Sequence, residues 1–171
     1  MPGHEHDRRR PQDRPPVAVM PLAHTEVPFE TTLHIRDRCL CLQLQRAARV
    51  VSRCFDDALR PLDLTNGQFS LLISLNRPQP ARIGSVAALL GMDRTTLTAM
   101  LKPLEHRGLV DVMIDPEDGR GRVLTLTQAG KSLLAVAVPI WEQSHAQVEH
   151  RLDEANTEIL RQELGALSQT S

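Results

Sequence analysis

Apolar residues recur at intervals of three and four positions between residues 31 and 59, the spacing that places side chains on one face of a helix. The stripe comprises Leu40, Leu44, Ala47, Val51, Cys54 and Ala58. Pro61 follows the stripe, and proline cannot continue a helix because it lacks the amide hydrogen. The pattern therefore predicts one long amphipathic helix that ends near residue 59.

Capping residues mark three shorter helices downstream. Thr65 and Gln68 have the Thr-x-x-Gln spacing of a capping box, which predicts a helix to about residue 75. Residues 82–90 predict a second helix that ends at a glycine, and Asp93 is placed to cap a third helix that runs to residue 107. Two helices joined by a tight glycine-containing turn are typical of a helix-turn-helix.

A hairpin and two further helices complete the pattern. Residues 109–114 and 122–126 are rich in β-forming residues and flank a turn that contains Pro, Asp and Gly. Thr127 is placed to cap a long helix to about residue 151 with a bend at Pro139, and Asp153 to cap a last helix to about residue 167. The predicted fold class is mainly α with a small β-hairpin, the wing of a winged helix-turn-helix domain.

Charge and aromatic content restrict the class of partner. Lysine and arginine total 20 against 21 aspartate and glutamate residues, so the formal net charge is -1 and any contact with nucleic acid requires a local cluster of cations. One Trp, three Phe and no Tyr do not suffice for a surface on which single-stranded bases stack. Double-stranded DNA is the nucleic acid that this composition favours.

The sequence lacks the motifs of catalysis, secretion and membrane insertion. It has no glycine-rich phosphate loop, nucleophile elbow or paired carboxylates beside a base, so we predict that it is not an enzyme. No run approaches the roughly 18 apolar residues of a membrane span, and the N-terminal arginines precede prolines instead of an apolar core. Three cysteines without a CxxC spacing fit reduced thiols. We expect a cytoplasmic protein without a cofactor, a metal or a membrane partner.

The third short helix and the hairpin carry the candidate DNA-binding residues. Three leucines at buried spacing on that helix leave the opposite face, near its N-terminus, for contact with base edges, although a solvated face has the same pattern. Arginines just beyond the hairpin turn are placed to enter a minor groove or to bind phosphate. The candidates are Arg94, Thr95, Thr96, Thr98 and Lys102 on the helix and Arg120 and Arg122 on the hairpin. We expect Asp115 to steady the turn by pairing with a wing arginine.

Four stretches of sequence resemble the MarR family of winged-helix transcriptional regulators, and the resemblance extends over residues 36–168. They are PLDLTNGQ at 61–68, VAALLGMDRTTL at 86–97, LEHRGLV at 104–110, and DPEDGR at 115–120 followed by LTxxG at 126–130. Two positions depart from the family pattern. Gly119 stands where many relatives have Arg, and Pro103 interrupts the predicted recognition helix.

The resemblance implies a homodimer in which two recognition helices face one palindromic operator, with repression as the default outcome. It divides the chain into a helical dimerisation region, residues 29–62 and 128–168, and a winged helix-turn-helix DNA-binding domain, residues 63–127. The two long amphipathic helices agree with a dimer, because they carry more apolar surface than one small domain can cover. Residues 1–28 are rich in Pro, Arg, Asp and His, a composition that predicts a disordered arm.

The resemblance also implies a small-molecule effector, often an aromatic acid or a phenol, bound between the dimerisation helices and the DNA-binding lobe. Arg38 and Arg46 are candidates to hold a carboxylate, and Trp141 with His145 to line an aromatic pocket. The alternative for each is an ordinary surface arginine or a packed residue of the dimer.

Two other functions are alternatives to a ligand-responsive regulator. Leu40 and Cys41, followed by Arg49, resemble the first helix of the peroxide-sensing branch of the family, so Cys41 is the candidate for a redox switch. That branch holds its thiolate with tyrosine hydroxyls, and this chain has no tyrosine. The second alternative is a winged-helix module that binds protein instead of DNA, because residues 92–131 hold six cations and six anions. A steep loss of DNA affinity with salt would distinguish the two modes of binding.

Overall fold

The computed structural model describes residues 26–152 and 154–169, which form one unit up to residue 42 and a second unit from residue 43 onward. The helices are α1 (Phe29–Arg38), α2 (Leu40–Leu59), α3 (Asn66–Leu75), α4 (Ile83–Leu89), α5 (Arg94–His106), α6 (Gln128–Glu149) and α7 (Glu154–Ser168), with a 3₁₀ turn at Arg60–Leu62. The strands are β1 (Ala81–Arg82), β2 (Val110–Ile114) and β3 (Arg122–Leu126). The predicted fold class, mainly α with a small β element, is confirmed.

The first predicted helix is wrong in one respect, because it is two helices. Cys39 separates α1 from α2 with an extended backbone (φ -70°, ψ 105°), while its N–H still donates to the carbonyl of Ile35 at 2.8 Å. The apolar stripe on which the prediction was based begins at Leu40. It therefore contains no information on whether residues 31–39 belong to the same helix. Apart from residues 26–28, the predicted N-terminal arm lies outside the described residues.

The helix starts predicted from Thr65, Asp93 and Thr127 are confirmed. The Gln68 N–H donates to the Thr65 hydroxyl at 3.2 Å and the Thr65 N–H donates to the Gln68 side chain at 3.0 Å, which completes the capping box. The hydroxyl of Thr127 accepts from the Gly130 N–H at 3.0 Å in the same way. Gly108 has a positive φ of 67°, a conformation that glycine adopts without strain, where the chain leaves α5.

The wing is a three-stranded antiparallel sheet in the order β1, β3, β2 and not only a hairpin. Val110 pairs with Leu126 and Ile114 with Arg122, so the predicted hairpin is confirmed and its strands pair over five residues. Ala81 pairs with Leu124 and Arg82 with Val123, which corrects the prediction that Arg82 begins a helix. A strand of two residues is too short for its alternation to be read from the sequence.

The core of the second unit lies where α3, α5, α6 and the sheet meet. Its least exposed large side chains are Leu59, Leu71, Leu72, Leu97, Leu104 and Leu124. α6 is continuous through Pro139 and ends two residues before the predicted position, and Asp153, predicted to cap the last helix, lies outside the described residues. Within residues 26–152 and 154–169, no helix combines the length and the apolar character that crossing a bilayer requires.

Candidate DNA-binding surface

α5 presents its polar face to solvent because its apolar face is fully used. Leu97, Leu101 and Leu104 are buried in the core, which turns Thr95 and Lys102 outward. Asp93 caps the helix and accepts from the Thr96 hydroxyl at 2.7 Å and the Thr96 N–H at 2.8 Å. These two bonds, the hydroxyl first, hold the pKa of the Asp93 carboxyl below its usual value. The core contacts of α5 and its cap therefore determine which of its side chains face solvent.

The threonines of this helix have different local roles. Thr96 donates its hydroxyl hydrogen to Asp93, so its first role is structural. Thr98 donates to the carbonyl oxygen of Arg94 at 2.7 Å, which leaves its hydroxyl oxygen able to accept a further hydrogen bond. Thr95 is exposed in the first turn of α5.

A groove of about 440 Å³ between α5 and the wing collects arginines from distant parts of the chain. The ionisable groups that line it are Arg82, Arg94, Arg120, Arg122, Asp115 and Asp118. Four arginines and two aspartates give the lining a formal charge of +2. Arg94 is folded over α4, since a Cβ placed on Gly84 would lie 3.0 Å from its Nη2 atom. The structure thus brings three of the predicted DNA-binding arginines together and adds Arg82, which no local motif marked as a DNA-binding residue.

Asp115 lies directly after β2, where the hairpin turn begins, but the residue that pairs with it differs from the prediction. Its side chain is 4% exposed and accepts from the Nε of Arg82 at 2.7 Å, instead of from a wing arginine. The N–H of Glu117 donates to its other oxygen at 2.9 Å, and this bond, followed by the ion pair with Arg82, keeps the pKa of Asp115 below its usual value. The wing arginines make local bonds within the hairpin. The backbone N–H of Arg120 donates to the side-chain carboxylate of Asp118 at 3.0 Å, and the guanidinium of Arg122 donates to the carbonyl of Gly121 at 3.0 Å.

The predicted effector residues are only partly brought together. The rings of Trp141 and His145 stack with centroids 4.6 Å apart, and His145 lies 3.1 Å from a carboxylate oxygen of Glu149. Arg46 and Arg38 are both exposed, on α2 and at the end of α1. In the described part of the chain, no cluster of three or more His, Cys, Asp or Glu side chains is arranged to hold a metal.

An apolar cavity of about 490 Å³, open to solvent where Ile73 and Leu89 are exposed, lies between α3, α4 and α6. It is lined by Phe69, Ser70, Ile73, Ser74, Leu89, Leu90, Val138 and Trp141. Trp141 is the one predicted effector residue on this wall, and the lining contains no charged side chain. No local pattern predicted the cavity, because its residues come from three helices whose packing is not encoded in local spacing.

Comparison with known proteins agrees with this geometry. The MarR family model matches residues 64–121. The organic hydroperoxide resistance transcriptional regulator of Bacillus subtilis is 31% identical over 101 residues, which cover 59% of this chain and 69% of that protein.

Two similar solved structures are complexes with DNA. The transcriptional regulator MosR of Mycobacterium tuberculosis, in complex with DNA, is 36% identical with a TM-score of 0.68, covering 77% of this chain and 95% of that one. The transcriptional repressor CouR, bound to a 23-mer DNA duplex, is 29% identical with a TM-score of 0.70, covering 85% of this chain and all of that one (100%). These relatives are transcriptional regulators and not enzymes. The chain belongs to the MarR family of DNA-binding transcriptional regulators.

Proposed function

We propose that the protein is a repressor that binds a palindromic operator as a homodimer and is released by a small uncharged effector. The observation that carries the proposal is the groove of charge +2 between α5 and the wing, on a chain whose net charge is -1. A protein that is slightly acidic overall gains affinity for DNA only where its cations are gathered on one surface. Repression is supported by the similarity to CouR, which is a transcriptional repressor.

Two elements flank this groove of the protein, the N-terminal part of α5 and the hairpin, and each suits a different groove of DNA. The exposed N-terminal turns of α5, with Arg94, Thr95 and Thr98, have the size and the donors to contact base edges in a major groove. Arg120 and Arg122 extend from the hairpin, where guanidinium groups suit a minor groove or the phosphate backbone. Lys102, one to two turns further along α5, is placed to contact phosphate, which positions the helix without reading sequence.

Replacing Arg94 and Thr98 together by alanine tests the reading face. The probe is a duplex selected from a random pool by the wild-type protein. We expect the double variant to lose roughly 1–3 kcal/mol of its preference for this duplex over a scrambled one. Fluorescence anisotropy at several salt concentrations measures both affinities, and Arg151→Ala removes an exposed arginine outside the groove as the control.

Two results would contradict this assignment. Unchanged sequence preference in the Arg94→Ala, Thr98→Ala variant would show that α5 does not read the operator. If the wild-type protein bound no duplex in a salt-dependent manner, the module that binds protein instead of DNA would be the better description.

Dimerisation is supported by apolar side chains that each unit leaves exposed. In the first unit these are Val27, Phe29, Ile35 and Leu40. In the second unit α7 exposes Ile159, Leu160, Leu164 and Leu167. Large exposed apolar patches are typical of protein interfaces, and we propose that a second copy of the chain covers them.

The composition of the apolar cavity determines the class of effector that we propose. A carboxylate bound there would have no cation to pair with, since the polar groups of the lining are two serine hydroxyls and the indole N–H of Trp141. One of those hydroxyls, on Ser74, already donates to the carbonyl of Leu71 at 2.7 Å. An uncharged aromatic ring with at most one or two hydroxyls therefore fits better than the aromatic acid that Arg38 and Arg46 suggested.

Trp141 is the single tryptophan of the chain and lines the cavity, so its fluorescence reports on ligand entry. We expect phenol to change this fluorescence and to release the operator duplex at concentrations at least about tenfold lower than benzoate, because burying the unpaired carboxylate costs more than about 1.4 kcal/mol. Val138→Phe, which narrows the cavity, should weaken both responses, whereas Val136→Phe at an exposed position of α6 should not. Equal responses to phenol and benzoate would contradict an uncharged effector.

Oxidation of Cys41 is the second candidate for release. Its side chain is exposed, and the hydroperoxide resistance regulator of Bacillus subtilis is a relative. In this reaction the thiolate takes one oxygen atom from an organic hydroperoxide, which leaves as the alcohol, and becomes a sulfenate. A peroxide arm of the same release assay tests it: release by hydroperoxide that Cys41→Ser prevents would favour the redox switch, and release that persists in Cys41→Ser would exclude this thiol.

A further inference from the structure

Arg82 lies at the junction between the sheet and the helix-turn-helix. Its backbone pairs with Val123 of β3, and it is the residue directly before α4. Its side chain makes no capping hydrogen bond to that helix. Instead, the guanidinium contacts Asp115 at the start of the hairpin turn, 33 residues further along the chain.

The guanidinium binds two carboxylates in a fork. Its Nε donates to Asp115 at 2.7 Å and its Nη2 donates to Glu117 at 2.6 Å. Arg82 is 56% exposed, whereas Asp115 is 4% exposed. A carboxylate at this depth must have its charge compensated. Without Arg82, Asp115 would lose the cation that contacts it and would keep the backbone donor from Glu117.

Asp115 in turn sets the position of the returning strand. Its N–H donates to the carbonyl of Gly121 at 3.1 Å. A Cβ on Gly121 would lie 3.1 Å from the Cβ of Asp115, so the strand packs directly on this residue. Arg120 and Arg122 flank Gly121, and a shift of Asp115 would therefore move both wing arginines.

We infer that Arg82 is a positioning residue for DNA binding, which holds Asp115 and thereby keeps Arg120 and Arg122 beside Arg94. The inference rests on the proposed contact between the wing arginines and DNA. Nε and Nη2 of Arg82 donate to carboxylates inside the protein. We therefore assign its effect on DNA binding to the wing, and the experiment below separates this role from a direct phosphate contact.

A double-mutant cycle on the full-length chain tests the inference, with the selected duplex as the probe. Arg82→Met removes the fork and keeps an unbranched stem, and we expect it to weaken binding about tenfold. Arg82→Lys should weaken binding to a similar extent, because one ammonium group cannot reproduce a two-point contact. In a chain that already carries Arg120→Ala and Arg122→Ala, Arg82→Met should change Kd by less than about twofold.

The other possible outcomes of this cycle would each contradict a different part of the inference. An equal loss of affinity from Arg82→Met in both backgrounds would mean that Arg82 contacts DNA directly, and wild-type affinity of Arg82→Lys would mean that charge alone suffices. If the Arg120→Ala, Arg122→Ala variant bound like the wild type, the proposed wing contact would fail and the positioning role would fall with it. As a measurement independent of DNA, the Asp115 amide, which donates to the Gly121 carbonyl, should exchange hydrogen faster in Arg82→Met while the far-UV circular dichroism is unchanged. Unaltered exchange would contradict the inference.

Discussion

Replacing Gly130 by alanine should lower the melting temperature of the protein by about 10 °C, since a loss of about 3 kcal/mol is expected where a side chain is forced against the backbone. A Cβ at this position would lie 2.2 Å from the carbonyl oxygen of Leu109 and 2.7 Å from Cδ1 of Leu126. The nearest atom belongs to the backbone and cannot rotate away. The same carbonyl accepts the Thr127 N–H at 3.1 Å, so its displacement would also disturb the start of α6.

The matched control for this prediction is Gly165→Ala in α7. A Cβ on Gly165 meets no atom within 4 Å, so alanine should leave stability unchanged or raise it by roughly 0.5–1 kcal/mol through its higher helix propensity. Thermal unfolding followed by circular dichroism measures both variants. Equal melting temperatures for the two variants would mean that β2 and α6 are not packed as closely as the structure has them.

Local signals predicted the helix starts because the groups that form them are neighbours in the sequence. Thr65 and Gln68, or Thr127 and Gly130, are three residues apart, and their hydrogen bonds need no information from the rest of the fold. The exposed face of α5 was predictable for a similar reason, since the spacing of three leucines determines which face is buried.

Features formed by residues far apart in the sequence were not predictable in this way. The partner of Asp115 was expected within the hairpin, where other arginines lie close in sequence, but it is Arg82 on a strand of two residues. The effector residues were chosen by chemical type along single helices, whereas the cavity is formed by three helices and excludes all cations from its lining. Pairings of this kind depend on how secondary elements pack, which a local pattern does not record.

The second large effect is expected from Leu164→Glu. Leu160, Leu164 and Leu167 recur at four and three positions along α7, so they share one face, and all three are exposed in the single chain. If this face is covered by a second copy, a carboxylate in its centre would be buried without a partner. We expect the variant to be monomeric at micromolar concentration in light scattering after size exclusion, with unchanged helix content.

Loss of the dimer should in turn reduce operator affinity by about a hundredfold or more, because two linked DNA-binding domains bind more tightly than either one alone. Gln162→Glu adds the same charge to α7 at an exposed position outside this stripe, so it should retain both the dimer and the affinity. A dimeric Leu164→Glu protein would exclude this face of α7 from the interface. A wild-type chain that is monomeric at the concentrations where it binds the duplex would contradict the homodimer itself, and the exposed leucines would then require a different partner.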